Sequence, residues 1–252
     1  MKTAIITGAS VGLGQELARQ TAQVFPDVEQ YWLIARREDK LKETAALLPG
    51  KQVRILSLDL CAVESLSQFE QALSTDRPDA ALLVNNAGCG FLNPVGAGPL
   101  WEPLTMIDLN LRALTAVTHL VLPYMGPGSH ILNISSIAAF CPNPRLTVYS
   151  AGKAYVSAFS RGLYEELRER NISVTAACPG PMDTEFITKG NIKGHSPMFE
   201  KLPYCDSVQV ARGALRAAAK GKAVYTPKLF YKFYRVVAKV LPQALLIKFT
   251  RT

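Results

Sequence analysis

The sequence predicts a doubly wound α/β fold: a seven-stranded, mostly parallel, Rossmann-type sheet between two layers of helices. Short β-branched runs alternate with amphipathic segments from start to finish. Several of those runs are apolar nearly throughout, as expected for strands covered on both faces. The first run ends in a glycine-rich turn just as a helix begins, the opening of a βαβ unit.

Taken in order, the first strand is expected at 3–8 (TAIITG) and leads into a helix at 13–24. QYWLIA at 30–35 and QVRILSL at 52–58 read as strands two and three, each followed by an amphipathic segment, at 37–48 and 63–74. AALLVNN at 80–86 is strand four and is followed by a long helix at 104–124. SHILNIS at 129–135 and ISVTAAC at 172–178 are strands five and six, with a helix at 149–170 between them. A helix at 207–220 and a last strand at 222–226 (KAVYT) complete the set. No Pro/Gly/Ser-rich linker divides the chain, so 1–226 is expected as one domain, with 227–252 as a basic amphipathic extension of it. The stretch from Pro179 to Cys205 is the longest interruption, and loops of that length usually carry function.

Composition narrows the class. At 252 residues, 48% hydrophobic and 19% charged, the chain is long enough for a large core. MKTAIITGAS is too short for a signal-peptide core, and no apolar run reaches the roughly 20 residues that span a bilayer. The five cysteines (61, 89, 141, 178, 205) are odd in number and widely spaced, which points to free thiols in a reducing cytoplasm. Neither they nor the three histidines show metal-ligand spacing, so no metal is expected. The net charge of +8 is uneven: from Ser207 onward there are ten Lys or Arg and no Asp or Glu, leaving the first 206 residues at −2. A nearly neutral body argues against a nucleic-acid binder.

Two motifs carry chemistry. TGASVGLG at 7–14 sets Gly8, Gly12 and Gly14 between a strand and a helix, where backbone can approach a pyrophosphate and the helix N-terminus can face it. Its G-x-x-x-G-x-G spacing is one residue longer than the usual dinucleotide fingerprint. TVYSAGKAY at 147–155 places Tyr149 four residues before Lys153, on one helical face. A phenol near pKa ~10 exchanges protons poorly at neutral pH, and a nearby cation favours the phenolate. The pair is either a tuned acid/base or two surface residues at an accidental spacing.

With these residues in view the chain resembles the short-chain dehydrogenase/reductases of about 250 residues, from Lys2 to about Thr226. TGASVGLG, with Ser10 and Leu13 between its glycines, is similar to that family's cofactor turn. Asp59 and Leu60 follow the third strand, where relatives set an aspartate against adenine. NNAG at 85–88 (Asn86, Ala87, Gly88) ends the fourth strand, NISS at 133–136 ends the fifth, and YSAGK is the family's Y-x-x-x-K. PGPMDT at 179–184 resembles the loop covering the nicotinamide, with Pro179, Gly180 and Thr184 in place and Met182 where valine is usual. The resemblance implies roles. Tyr149 exchanges the proton, Lys153 lowers its pKa and holds the nicotinamide ribose, Ser136 polarises the carbonyl, and Asn110 seats a water that completes a relay. It also implies a homodimer or homotetramer formed through the helices at 104–124 and 149–170.

Cofactor choice rests on ARRED at 35–39. An NAD site wants an acid where strand two ends, but Ala35 stands there, followed by Arg36 and Arg37. An arginine suits the 2′-phosphate of NADP(H), with Arg36 favoured over Arg37. The alternative is a solvated helix start in which the arginines pair with Glu38 or Asp39. CGF at 89–91, IAAFCP at 137–142 and PMDTEF at 181–186 border the expected pocket with mostly apolar side chains, so a lipophilic ketone or secondary alcohol is expected. Lys189, Lys193, His195 and Lys201 either meet an anionic head group or form a solvated lid face. The rival reading is a protein that senses NADP(H) without turnover.

Beyond Thr226, Lys228, Lys232, Arg235 and Lys239 would form one basic stripe on a helix, with aromatic and branched residues between them. That pattern fits peripheral membrane contact through 228–249, packing on the domain, or a lid on the pocket, and these overlap. Pro242 is expected to end or kink the helix.

Overall fold

The computed structural model describes residues 1–192 and 194–250. Its strands are β1 (Lys2–Thr7), β2 (Val28–Ala35), β3 (Gln52–Ser57), β4 (Asp79–Asn85), β5 (His130–Ile134), β6 (Ser173–Ala177) and β7 (Val224–Tyr225). They form one sheet in the order β3-β2-β1-β4-β5-β6-β7, and every pairing is parallel. Neighbouring residues of a strand point to opposite faces, and here both faces are covered. Ile6, Leu33, Leu82 and Leu132 pack beneath α1 (Gly12–Val24) and α9 (Ser207–Ala219). Ile5, Trp32, Leu83, Ile131 and Val174 pack on the other face, against α3 (Val63–Asp76), α5 (Leu114–Val121) and α6 (Thr147–Glu166). The uninterrupted apolar runs of the sequence have this cause.

Three elements differ from expectation. The segment expected as one helix at 104–124 begins earlier, as α4 (Trp101–Ile107), and widens to a π-helical turn over Asp108–Ala113 before continuing as α5. Such turns arise where an extra residue is accommodated inside a helix, often at a functional site. The last strand shrinks to two residues, because at the sheet edge only Val224 and Tyr225 find partners on β6. The 179–205 stretch is not structureless. It folds into two short helices, α7 (Glu185–Lys189) and α8 (Pro197–Lys201), around a small cluster of Leu92, Leu146, Ile187 and Ile192.

After β7 comes α10 (Leu229–Val240), with Lys228 at its N-cap in a left-handed conformation (φ 56°) rather than within the helix. Pro242 ends it and starts α11 (Gln243–Leu246). The remaining helix, α2 (Glu38–Ala46), joins β2 to β3. Strand order reverses between β1 and β4, and at such a switch point the loops leaving the strand ends separate and open a crevice.

Candidate active site

A cavity of about 900 Å³ occupies that crevice, lined by the segments that follow β1, β2, β3, β4, β5 and β6. Its geometry begins with Thr7, the last residue of β1. Its hydroxyl accepts hydrogen bonds from the Asn86 and Ala87 amides (3.1 Å each) and donates to the Val84 carbonyl (3.3 Å). The Asn86 side-chain amide donates to the carbonyls of Thr7 and Gly8, both at 3.1 Å. The glycine turn is therefore tied to the end of β4 by the Thr7 and Asn86 side chains, each bonded to backbone of the other segment. Gly8 has φ +66°, and a Cβ on Gly14 would lie 2.0 Å from the Gly8 carbonyl oxygen, so neither position admits a side chain without strain. No side chain caps α1, whose first residues line the cavity. Uncapped amide groups at a helix start, beside a cradle that only glycine can form, fit the pyrophosphate of a dinucleotide.

The ends of β2 and β3 face the same cavity. Ala35 is followed by Arg36, whose side chain is 71% exposed and lies 4.0 Å from Asp59 Oδ2, and by Arg37, paired with Glu185 at 2.9 Å. The arginines do not take Glu38 or Asp39 as partners; Glu38 pairs with Lys42 instead. Arg37 thus joins the end of β2 to α7 across the cleft.

At the far end are the residues of the Y-x-x-x-K motif. Tyr149 and Lys153 lie on the cavity side of α6, with the Lys153 ammonium 5.7 Å from the centre of the phenol ring. Lys153 is buried and donates from Nζ to the Ile134 carbonyl at 2.9 Å. Burial lowers it to about 8. Burial likewise pushes the Tyr149 phenol up to about 12, while a hydrogen bond with Ser136 opposes the rise. Burial is thus the leading influence on the phenol, and the hydrogen bond with Ser136 is the one that favours its ionised form. The two serines separate clearly. Ser135 Oγ donates to the Lys153 carbonyl (2.8 Å) and contacts Ser157 Oγ (2.8 Å), bracing α6, while Ser136 turns to Tyr149.

Of the residues singled out in the sequence, Ser10, Gly12, Leu13, Leu60, Gly88, Pro179, Gly180, Met182 and Thr184 line the cavity together with those above. Asn110 does not. It sits on the π-helical turn behind the wall, 1% exposed, and its side chain exchanges two hydrogen bonds with the Cys89 backbone (2.8 and 2.9 Å). Of the lid cations, Lys189 lines the cavity but is held by Glu185 at 2.6 Å, and Lys201 is exposed. His195 is exposed on the loop, its carbonyl accepting from Arg145 (3.0 Å), and Lys193 lies outside the described residues. Sequence reasoning missed Thr7 and the Arg37–Glu185 bridge. A threonine at a strand end carries no distinctive signal, and the bridge spans 148 positions.

Beyond Tyr149 the cavity is apolar. Phe91 packs edge-on against Trp101, and Phe186 tilts against Tyr149, whose close approach requires Gly90. The C-terminal segment closes this end, with Phe230, Tyr231, Tyr234, Leu246 and Phe249 in the wall. Tyr231 is fully buried, lies against Gly180 and donates from its hydroxyl to the Pro203 carbonyl at 2.8 Å. Thr250 Oγ1 donates to the Pro142 carbonyl (3.0 Å), and Asn143 donates to the Thr250 carbonyl (3.1 Å). The tail therefore both packs on the domain and lines the cavity.

A family model described as short chain dehydrogenase matches residues 2–193. Sulfoacetaldehyde reductase 2 of Chromohalobacter salexigens is 35% identical over 190 residues, covering 72% of this chain and 73% of that protein. Very-long-chain 3-oxoacyl-CoA reductase of Anas platyrhynchos is 34% identical over 185 residues, 70% of this chain and 58% of that one. Among solved structures, a short-chain dehydrogenase from Sphingobium yanoikuyae in complex with NADPH superposes with a TM-score of 0.80 at 27% identity, covering 97% of each chain.

Proposed function

The chain belongs to the short-chain dehydrogenase family, oxidoreductases of alcohol and carbonyl groups, and from that premise we propose that it is an NADP(H)-dependent enzyme interconverting a ketone and a secondary alcohol on a lipophilic small molecule. The observation that carries the reading is one cleft with a glycine cradle at one end and, at the other, Tyr149 beside the buried Ser136 and Lys153.

In this reading the cradle residues Gly8, Ser10, Gly12, Leu13 and Gly14 hold the pyrophosphate. Asp59, Leu60, Asn86, Ala87 and Gly88 flank the adenosine and ribose. Pro179, Gly180, Met182 and Thr184 cover the nicotinamide. When bound, the cofactor supplies or accepts a hydride. The remaining work falls to the protein. Ser136 donates a hydrogen bond to the substrate oxygen and fixes its position. Tyr149 delivers its proton to that oxygen. A phenol raised to about 12 holds its proton at neutral pH but gives it up reluctantly, and the hydrogen bond with Ser136, which opposes the rise, eases the transfer. Lys153, lowered to about 8, sits close to ambient pH and is suited to replenishing the tyrosine. Asn110 supports the relay by fixing the Cys89 backbone beside it.

Preference for NADP(H) is supported by Ala35 at the end of β2 and by Arg36 beyond it, exposed at the cavity edge. Arg37 is the lesser candidate, since Glu185 already neutralises it. A lipophilic substrate is supported by the aromatic and aliphatic wall. The reductases similar to this chain act on both a small sulfonate and a long acyl chain, so the wall carries this part of the reading. We place the enzyme in a reducing cytoplasmic compartment, consistent with five free cysteines, and assign 1–226 as the catalytic domain with 227–252 as its extension. A homodimer or homotetramer follows family practice.

The test is oxidation of NADPH, with NADH in parallel, against lipophilic ketones including oxo-steroids and 3-oxoacyl thioesters. Turnover of one class, lost in Tyr149→Phe, supports the reading. Tight NADPH binding with no turnover of any ketone, or of the matching alcohols with NADP, overturns it in favour of a sensor.

A further inference from the structure

The helix α10 has more apolar surface than the domain covers. At 100° per residue, Tyr231, Tyr234 and Ala238 form the face turned to the domain. Leu229, Phe233, Val236 and Val240 follow the i, i+4, i+7, i+11 spacing of a second face, and these are 80, 70, 60 and 76% exposed. Lys232, Arg235 and Lys239 run between the two, all exposed, with Lys228 continuing the row from the N-cap. A one-sided amphipathic helix would spend its apolar residues on packing; this one keeps a stripe for something else.

Charge identifies the occupant. Among the described residues no carboxylate pairs with any of these four cations, and Ser207 to the end contains no acid at all. A second copy joined face to face would bring two such stripes together and repel itself. An anionic lipid surface satisfies both features, since the cations meet headgroups while the aromatic and branched side chains enter the acyl boundary. No helix among the described residues is long and apolar enough to cross a membrane, so the contact would be peripheral.

The same stripe leads to the cavity. Phe230, 53% exposed, borders the apolar face and lines the cleft; Phe249, 82% exposed, also lines the cleft, with Leu245 (51%) one turn before it. We propose that α10 and the chain end seat the enzyme on an anionic lipid surface, with the apolar rim of the substrate cavity against the acyl boundary. Docking stands on the helix alone. The delivery of substrate from the bilayer rests on the lipophilic reading above, and a failure of that reading leaves docking intact.

The experiment is co-sedimentation of the full chain with vesicles of phosphatidylcholine alone and of equimolar phosphatidylcholine and phosphatidylglycerol. The anionic vesicles are expected to bind at least about tenfold more protein. The Lys232→Glu/Lys239→Glu variant should lose that preference, by about fivefold for each basic residue removed. Phe233→Glu/Val236→Glu should bind at least about tenfold less. All four positions lie outside the cavity wall, so turnover of a soluble ketone should be unchanged and reports folding. Phe233→Ser is the milder variant if the double change misfolds. Absence of wild-type binding to anionic vesicles overturns the proposal, as does binding indifferent to both pairs of changes. A dimer in sedimentation velocity that Phe233→Ser dissociates, without vesicle binding, assigns the face to a second copy instead.

Discussion

The two ends of the cleft are built by different means. The cofactor end is tied by hydrogen bonds among Thr7, Asn86 and the backbone that follows β1 and β4, with glycines that exclude any Cβ. The substrate end is closed by two later segments, 179–205 and 227–250, that meet largely through apolar side chains. Hydrogen-bonded locks of this kind specify one geometry and tolerate little change. Packed side chains keep a shape only as far as volume is conserved. One end is therefore fitted to a constant partner, and the other can be refitted to different carbonyl compounds without disturbing the first.

The comparison is tested most severely by Tyr149→Phe. It removes the proton and nothing from the cradle, so turnover should fall about 10³-fold with NADPH affinity little changed. A parallel loss of affinity, by fluorescence titration, would mean that the ends are not separable. Next in size is Arg36→Ala at the constant end. Losing a charge-assisted contact to a 2′-phosphate should weaken NADPH by about 30-fold and leave NADH alone; equal losses would assign the phosphate elsewhere.

The Lys153 ammonium lies between the two ends. Lys153 is held near 8 in the folded chain, below its unfolded value, so the fold binds fewer protons than the unfolded chain between the two values. Its burial costs stability while it is charged, and the cost is relieved as pH rises through and above 8. Lys153→Met, inactive by expectation, should be the more thermostable protein at pH 7. Its advantage should shrink by about 1–2 kcal/mol by pH 9.5. An advantage constant with pH would show that Lys153 is not desolvated. The smallest effect belongs to the substrate end: Tyr231→Phe loses the bond to Pro203 but keeps the ring, costing about 1 kcal/mol, or 2–4 °C in melting temperature.

The same division governs how much could be read from the sequence. Sheet, helix order and the cradle were legible because each is written in local pattern: alternating periods, glycines at a strand end, Tyr149 and Lys153 one turn apart. The π-helical turn at Asn110 was not, because no local pattern marks residues 108–113 and the bonds from Asn110 to the Cys89 backbone exist only once the chain is folded. Nor was the Arg37–Glu185 bridge, or the rise of the Tyr149 pKa, which depends on how much water the assembled walls exclude. In the tail, spacing disclosed the basic row. Which apolar residues would be covered depended on where Gly180 left room.

That room has a mechanical consequence. A Cβ on Gly180 would meet the Tyr231 ring at 2.3 Å, so ring and loop touch with nothing between them, and the hydroxyl pins the ring to Pro203. Tyr231 is in effect a fulcrum, with α10 as one arm and the segment at 179–182 as the other. The positions of α10 and of the loop at 179–182 are thereby coupled: neither can shift toward the other without displacing the Tyr231 ring.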